Sequence, residues 1–351
     1  MSELNLDAFT CPLPISHNDR IVMGHGSGGK MTSELIEKLF VPLFDNPHLS
    51  RLDDQAVLDF GSLRLAFTTD SYVINPVFFP GGDIGKLAVN GTINDLAMSG
   101  ARPLYLSAGL ILEEGLAILD LARIVTSMRD ACQAAGVTLV TGDTKVVNKG
   151  SGDQIFINTS GIGLVPDGVN ISANQAQPGD KVLLSGPIGV HGIAIMSVRA
   201  GIEFETQMES DTAPLHGLVQ AMLEVTPRLH CLRDPTRGGL ASTLNEIAQA
   251  SGTGIVIEET RIPIPPEVRA ACEMLGLDPL YVANEGKLVA FVLPDEAEAI
   301  VARMRTHPYG REATVIGSVV AEHPRMVVMK TRIGGMRVVD KMAGEILPRI
   351  C

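Results

Sequence analysis

Apolar positions follow two rhythms along this chain. Short extended runs rich in Val, Ile and Leu occur at 63–68, 137–141, 154–165, 181–185, 254–258, 287–293 and 313–319; they read as strands. Between them, apolar residues recur at three- and four-residue spacing over 33–40, 84–99, 116–135, 214–225, 239–250, 265–275 and 295–306, the mark of helices with one buried face. Strands and helices alternate, but with irregular spacing and intruding hairpin-like pairs, so the pattern predicts mixed α/β sheets and not a regular parallel barrel. The charge-free stretch 182–198 is broken by Gly186-Pro187, Gly189 and Gly192. It reads as strand, turn and helix start, too interrupted for a membrane span. The first twenty residues carry acids and lack the apolar core of a secretory leader.

A length of 351 residues predicts two domains of ordinary size. The polar, turn-rich stretch PDGVNISANQAQPGD after Val165 marks their boundary. The expected division is an extension at 1–20, an N-terminal domain at 21–168, a C-terminal domain at 178–340 and a mobile tail at 341–351. Pro348 bars that tail from continuing a helix or sheet. Aromatics make up 4% of the chain and Trp is absent, so the cores must be built from Val, Ile, Leu, Ala and Met.

A net charge of −12 argues against nucleic acid or an anionic membrane as partner. It also means that any triphosphate bound here needs a divalent cation between it and the carboxylates. The five cysteines, Cys11, Cys132, Cys231, Cys272 and Cys351, are odd in number and form no CxxC pair. That speaks against zinc and for a reduced, cytoplasmic chain.

Several motifs carry candidate chemistry. HGSGGK at 25–30 precedes a helical segment; such a turn lets the backbone approach an anion near free N–H groups, although a plain turn is the commoner outcome. Four acidic motifs stand out: DDQAV at 53–57, TTDS with Asp70, NDLAMSGARP with Asp95 and DPTRGG with Asp234. Singly each is as well explained by capping or surface charge. As a set flanked by small residues they point to Mg²⁺ and phosphate, since a carboxylate beside an apolar face needs a cation. TGDTK at 141–145 follows a strand, with Asp143 able to cap a turn or take a metal and Lys145 able to reach a phosphate. Glu285, in ANEGK, is a candidate general base set against the plainer reading of a solvated turn acid. Cys351, last in the sequence after Pro-Arg-Ile, is a candidate covalent carrier and does not fit a prenylation box.

Taken in order, HGSGGK, TTDSYVINPVFFPGGDIGKLAVNGTINDLAMSGARPLYLS, LILEEG, VTGDTKVV, RDPTRGGL, VANEGKLV and LPRIC resemble the HypE family of hydrogenase maturation factors. That family lies within the aminoimidazole ribonucleotide synthetase-like (PurM-like) ATP-binding superfamily, and the resemblance spans nearly the whole chain. It implies an N-terminal sheet that pairs with a second copy in a homodimer, ATP in a cleft at that interface, and a C-terminal mixed sheet covered by helices. The positions matching metal and phosphate acids are Asp54, Asp70, Asp95 and Asp234. Those implied at the nucleotide are Gly28, Gly29, Asp70, Asn94, Asp95, Gly142, Asp143 and Thr144. Lys145 and Glu285 match residues implicated in dehydration, and Cys351 the substrate carrier.

The reaction so implied starts with HypF placing a carbamoyl group on Cys351. ATP, with Mg²⁺, then drives its dehydration to a thiocyanate, and the HypC–HypD complex receives the cyano group for a nickel–iron centre. Two alternatives stay open on the residues. One is a selenophosphate or ribonucleotide synthetase relative, although the glycine loop lacks the Cys-Lys pair expected of the former. The other is a non-catalytic ATP-binding scaffold that presents its tail to partners.

Overall fold

The computed structural model describes residues 20–44, 46–201, 208–342 and 349–351. The extension expected at 1–20, with Cys11, lies outside the described residues except for Arg20, and so do 343–348 of the expected tail, Pro348 included.

The first sheet forms from β1 (Ala56–Phe60), β2 (Leu63–Tyr72), β5 (Arg102–Glu113), β6 (Thr138–Val147) and β7 (Ile155–Leu164). A small hairpin of β3 (Phe78–Phe79) and β4 (Gly82–Asp83) leads into the helices. The order is β1-β2-β7-β5-β6, antiparallel except where β5 meets β6 in parallel. Strand β6 is therefore an edge. Ahead of the sheet stand α1 (Lys30–Leu35) and α2 (Val41–Phe44), joined by a π-helical turn. Helices α3 (Ile84–Met98) and α4 (Ile118–Ala135) cover one sheet face.

Helix α3 is buried nearly all round, so each polar side chain on it needs a partner. Its first turn is capped by Asp83, whose Oδ1 accepts from the N–H groups of Gly85 and Lys86 at 2.8 and 3.0 Å. Thr92 meets Thr159 hydroxyl to hydroxyl at 2.5 Å. Asn94 donates to the carbonyls of Ala213 and Glu285 at 3.1 and 3.4 Å and accepts from the Leu215 N–H at 2.7 Å. The helix thus ties the two halves of the chain together.

The second sheet comprises β8 (Lys181–Leu184), β9 (Leu229–Arg233), β10 (Gly254–Glu258), β11 (Val289–Val292), β12 (Thr314–Val320), β13 (Val327–Lys330) and β14 (Met336–Val339). Its order is β14-β13-β10-β12-β8-β11-β9, mixed because β10 and β13 run parallel. Helices α5 (Val190–Ala200), α6 (His216–Leu223), α7 (Gly239–Ser251), α8 (Pro266–Leu275) and α9 (Ala297–Arg305) accompany it. The mixed α/β expectation is met. The connection after β7 is less detached than its polar composition suggests: Val165, Val169 and Ile171 are buried with Leu96 and Met98 of α3 and Leu218 and Met222 of α6. One apolar core spans both sheets' helices.

Candidate functional site

Asp54, Asp70, Asp95 and Asp234 come from four separate elements and converge. Thr68, on the helix-covered face of β2, holds its hydroxyl 2.9 Å from both the Asp54 carbonyl and Asp95 Oδ2. Asp54 Oδ1 pairs with Arg233 Nε at 2.8 Å, and Arg233 Nη2 also reaches Glu246 at 3.0 Å. Asp54 Oδ2 is buried without a partner. Burial pushes Asp95 far above the ordinary carboxylate range, with further increments from Asp234, Asp70 and Asp54. Burial raises Asp54 as well, against the pull of Arg233, and pushes Asp234 up to about 6. These acids repel one another across a dry site, the condition that a bound cation relieves.

Glu285 joins them from the loop before β11. Asn284 staples that loop: its Oδ1 accepts from the Gly189 N–H at 2.7 Å, and its Nδ2 donates to the Pro235 carbonyl at 2.9 Å. The Glu285 N–H donates to Asp211 Oδ1 at 3.0 Å. Glu285 is 3% exposed, and its carboxyl oxygen Oε1 is buried and unpartnered. Burial raises its pKa well above the usual value, helped by Asp234, Asp211 and Asp70 and opposed by Arg237. The solvated-turn reading of Glu285 therefore does not hold: its carboxyl sits in the dry cluster.

The glycine loop closes the other side. Gly28 has φ +73, and a Cβ there would lie 2.9 Å from Arg237 Cβ; only glycine accepts both conditions. Arg237 Nη1 donates to the Gly26 carbonyl at 3.4 Å, and Nη2 lies 4.0 Å from Asp70 Oδ1. The helix after the loop starts at Lys30, three residues before the predicted run. Gly29 packs on the Met342 carbonyl, which also accepts from the Lys30 N–H at 2.8 Å.

Residues 349–351 dock against the end of β2. The N–H of Val73 donates to the Cys351 carbonyl at 3.1 Å and that of Asn75 to the Arg349 carbonyl at 3.3 Å, an antiparallel pairing. Arg349 Nε donates to the Val73 carbonyl at 3.0 Å, and its guanidinium pairs with Asp153. This places Cys351 on the wall of a cavity of about 600 Å³, shared with Val22, Ser71, Val73, Arg237 and Tyr281. Burial pushes the thiol pKa up; Arg237 pulls it down, while Glu285, Asp70 and Asp234 raise it. The sulfur therefore lies within electrostatic reach of the acid cluster.

Not every candidate joins this place. Asn94 spends its amide on holding the halves together, as described above. Gly142, Asp143, Thr144 and Lys145 lie on edge strand β6 and are exposed. The register pairs Asp143 with Gly109 and Lys145 with Ile111, on the face away from α3. There Lys145 Nζ grips Asp143 at 2.6 and 2.8 Å, which holds the Asp143 carboxyl below its ordinary pKa. Two further residues stand at the docked tail without a motif of their own. Arg237 stands inside DPTRGG, where only the acid drew attention, and His191 lies in an otherwise apolar turn, GPIGVHG.

The oxygen-rich set suits Mg²⁺ by its hard donors and its orphaned buried oxygens, Asp54 Oδ2 and Glu285 Oε1. Among the described residues no three His, Cys, Asp or Glu side chains already converge as a complete ligand set. That fits an ion held by one or two carboxylates together with substrate phosphates. No described helix is long and apolar enough to cross a membrane.

Comparison with known proteins agrees over both halves. Residues 52–165 match the family model for the AIR synthase related protein N-terminal domain, and 177–329 its C-terminal domain. A carbamoyl dehydratase HypE of Azotobacter vinelandii is 57% identical over 334 residues, 95% of this chain and 98% of that protein. The solved structure of a HypE–HypF complex superposes with a TM-score of 0.84 at 49% identity, covering 88% of this chain and 99% of that one. A hydrogenase maturation protein HypE in complex with ATP gives 0.80 at 50% identity, covering 95% and 100%.

Proposed function

Because the chain belongs to the HypE family of carbamoyl dehydratases, ATP-dependent hydrogenase maturation proteins built from AIR synthase related domains, we propose that Cys351 carries the group being dehydrated. The observation that supports this reading is the docking of residues 349–351 on 73–75, which sets the Cys351 thiol on one cavity wall with Arg237, beside Glu285 and the acid cluster.

A carbamoyl group on the Cys351 sulfur is a thiocarbamate, S–C(=O)–NH₂, received from HypF. Its oxygen is a poor leaving group, so attack of that oxygen on the γ-phosphorus of ATP expels ADP and makes an O-phosphorylated carbon. Loss of the nitrogen protons then drives out phosphate and leaves S–C≡N. The balance is one carbamoyl group and ATP giving a thiocyanate, ADP and phosphate.

Glu285 is the base. Its raised proton affinity suits removal of a weakly acidic N–H, and its burial keeps water from hydrolysing the phosphorylated carbon. Arg237 is the cation beside the thiol and stabilises charge on the reacting oxygen. One or two carboxylates from among Asp54, Asp70, Asp95 and Asp234, together with the phosphates, would hold Mg²⁺, which neutralises the triphosphate when bound. Gly28 and Gly29 form a turn against which the nucleotide packs. Loading by HypF and delivery of the cyano group to HypC–HypD require residues 349–351 to leave the cavity between steps. The remaining candidates, Gly142 to Lys145, act on a second copy: a homodimer that buries the outer face of the first sheet carries them to the nucleotide of its partner.

Mass spectrometry of the peptide ending in Cys351, after incubation with HypF, carbamoyl phosphate and Mg-ATP, tests the reading. The expected course is a carbamoyl adduct that then loses one water only when ATP is present. An adduct that persists unchanged with Mg-ATP would sink it and favour a scaffold.

A further inference from the structure

We propose that His191, braced by Ser210, is the positioning residue that fixes Cys351 for dehydration; the proposal rests on the carbamoyl dehydratase reading above. His191 is the second residue of α5 and is fully buried. Its Nε2 lies 2.8 Å from the carbonyl oxygen of Ile350, the residue before the carrier cysteine, and its Nδ1 lies 2.7 Å from Ser210 Oγ.

The partners dictate the tautomer. A carbonyl only accepts, so Nε2 carries the hydrogen and Nδ1 must accept from the Ser210 hydroxyl. Ser210 is itself held: its N–H donates to the Pro80 carbonyl at 2.8 Å, and its Oγ accepts from the Thr212 N–H at 3.2 Å. Donation therefore runs one way, from Thr212 through Ser210 and the imidazole to the Ile350 carbonyl, and each bond polarises the next. The Phe79 ring meets the imidazole edge-on at 5.7 Å and blocks its rotation. Burial holds the ring below its ordinary pKa, which preserves the neutral form that this chain of bonds needs.

Other contacts of the docked residues are less selective. Val73 and Asn75 offer backbone N–H groups to two carbonyls, and Arg199 donates to the Arg349 carbonyl. His191 reads the peptide group adjacent to the thiol from inside the core, where Ile350 is also buried. Shifting that carbonyl shifts the sulfur relative to Arg237 and Glu285. A core histidine with a purely structural role would have no reason to bind the one peptide group next to the carrier.

Alkylation of Cys351 by iodoacetamide, followed on its own peptide in the full chain without partner or nucleotide, tests this. Docking leaves the thiol only partly exposed, so release raises the rate. His191→Ala should alkylate at least about tenfold faster than wild type. Ser210→Ala should be intermediate, and His191→Gln, which retains an N–H donor, close to wild type. On carbamoylated protein, His191→Ala should lower kcat for cyanation while KM for ATP holds, since the contacts of His191 are with the tail, Ser210 and Phe79. Wild-type alkylation rates in folded His191→Ala would overturn the proposal. If that variant does not fold, an unchanged rate in Ser210→Ala overturns it instead. A wild-type protein that fails to dehydrate its adduct rejects the function and not the positioning, because alkylation involves no turnover.

Discussion

Lys145 and Glu285 lie on opposite sides of the first sheet. Lys145 follows the outer register of β6 beside Ile111, whereas the Glu285 carbonyl accepts from Asn94 of α3, the helix on the inner face. One chain cannot bring the two to a single substrate, so a reaction that uses both needs two copies. Lys145→Ala and Glu285→Gln should each be inactive alone. Mixed and allowed to exchange, they should recover about a quarter of wild-type activity, because half the dimers are mixed and each has one intact site. No recovery in dimers shown by mass to be mixed would put Lys145 and Glu285 to work within one chain, and an active Lys145→Ala would place Lys145 outside the reaction.

The outer face of that sheet should be where the copies meet. Phe67, Ile162 and Tyr105 are exposed there, in adjacent register across β2, β7 and β5. A contiguous apolar patch of this kind on a sheet seeks cover. Phe67→Asp with Ile162→Asp should halve the mass seen in light scattering while leaving the circular dichroism unchanged. A dimer of undiminished affinity would put the interface elsewhere.

Much of this was legible in the sequence, and the gaps have physical causes. The strand runs 181–185 and 254–258 coincide with β8 and β10 because they are buried on both sides and read as uninterrupted apolar stretches. Strand β5, central to the first sheet, escaped because Pro103 and Gly109 disguise an inward alternation carried by Leu106 and Ala108. Strand β9 escaped because His230 and Arg233 serve Asp180 and Asp54 through tertiary contacts. The acids were legible as a set because small residues flank their motifs. Arg237 and His191 were not, since their significance lies in contacts with residues over a hundred positions away. Lys145 could be named from its motif, but the face it occupies depends on a bulge between Leu106 and Ser107 in the β5–β6 register, which no local pattern reveals.

Glu285→Gln separates chemistry from loading. The amide keeps the shape of the buried side chain and removes the base. HypF-dependent carbamoylation should proceed, and conversion to thiocyanate should slow by about 10²–10⁴-fold, the usual contribution of a positioned base. Single-turnover mass spectrometry separates the two steps. Cyanation at the wild-type rate would assign the proton to another group.

Asp234 should expose a conflict between stability and function. Its pKa rises from 3.8 to about 6 in the folded chain, so between those values the folded state holds a proton that the unfolded state has lost. Stability must then fall as pH rises through that window, and it stays lower above it. The shift corresponds to a penalty on the order of 2–3 kcal/mol at neutral pH. Asp234→Asn removes it: without nucleotide or divalent cation, the variant should be more stable than wild type at pH 7.5 and close to it at pH 4. Dehydration should be lost in the same variant. Adding Mg²⁺ and an ATP analogue should stabilise wild type more than Asp234→Asn, because the cation then supplies the charge that the carboxylates lack. Equal urea midpoints for the two proteins across pH 4 to 7.5 would show that Asp234 carries no such strain.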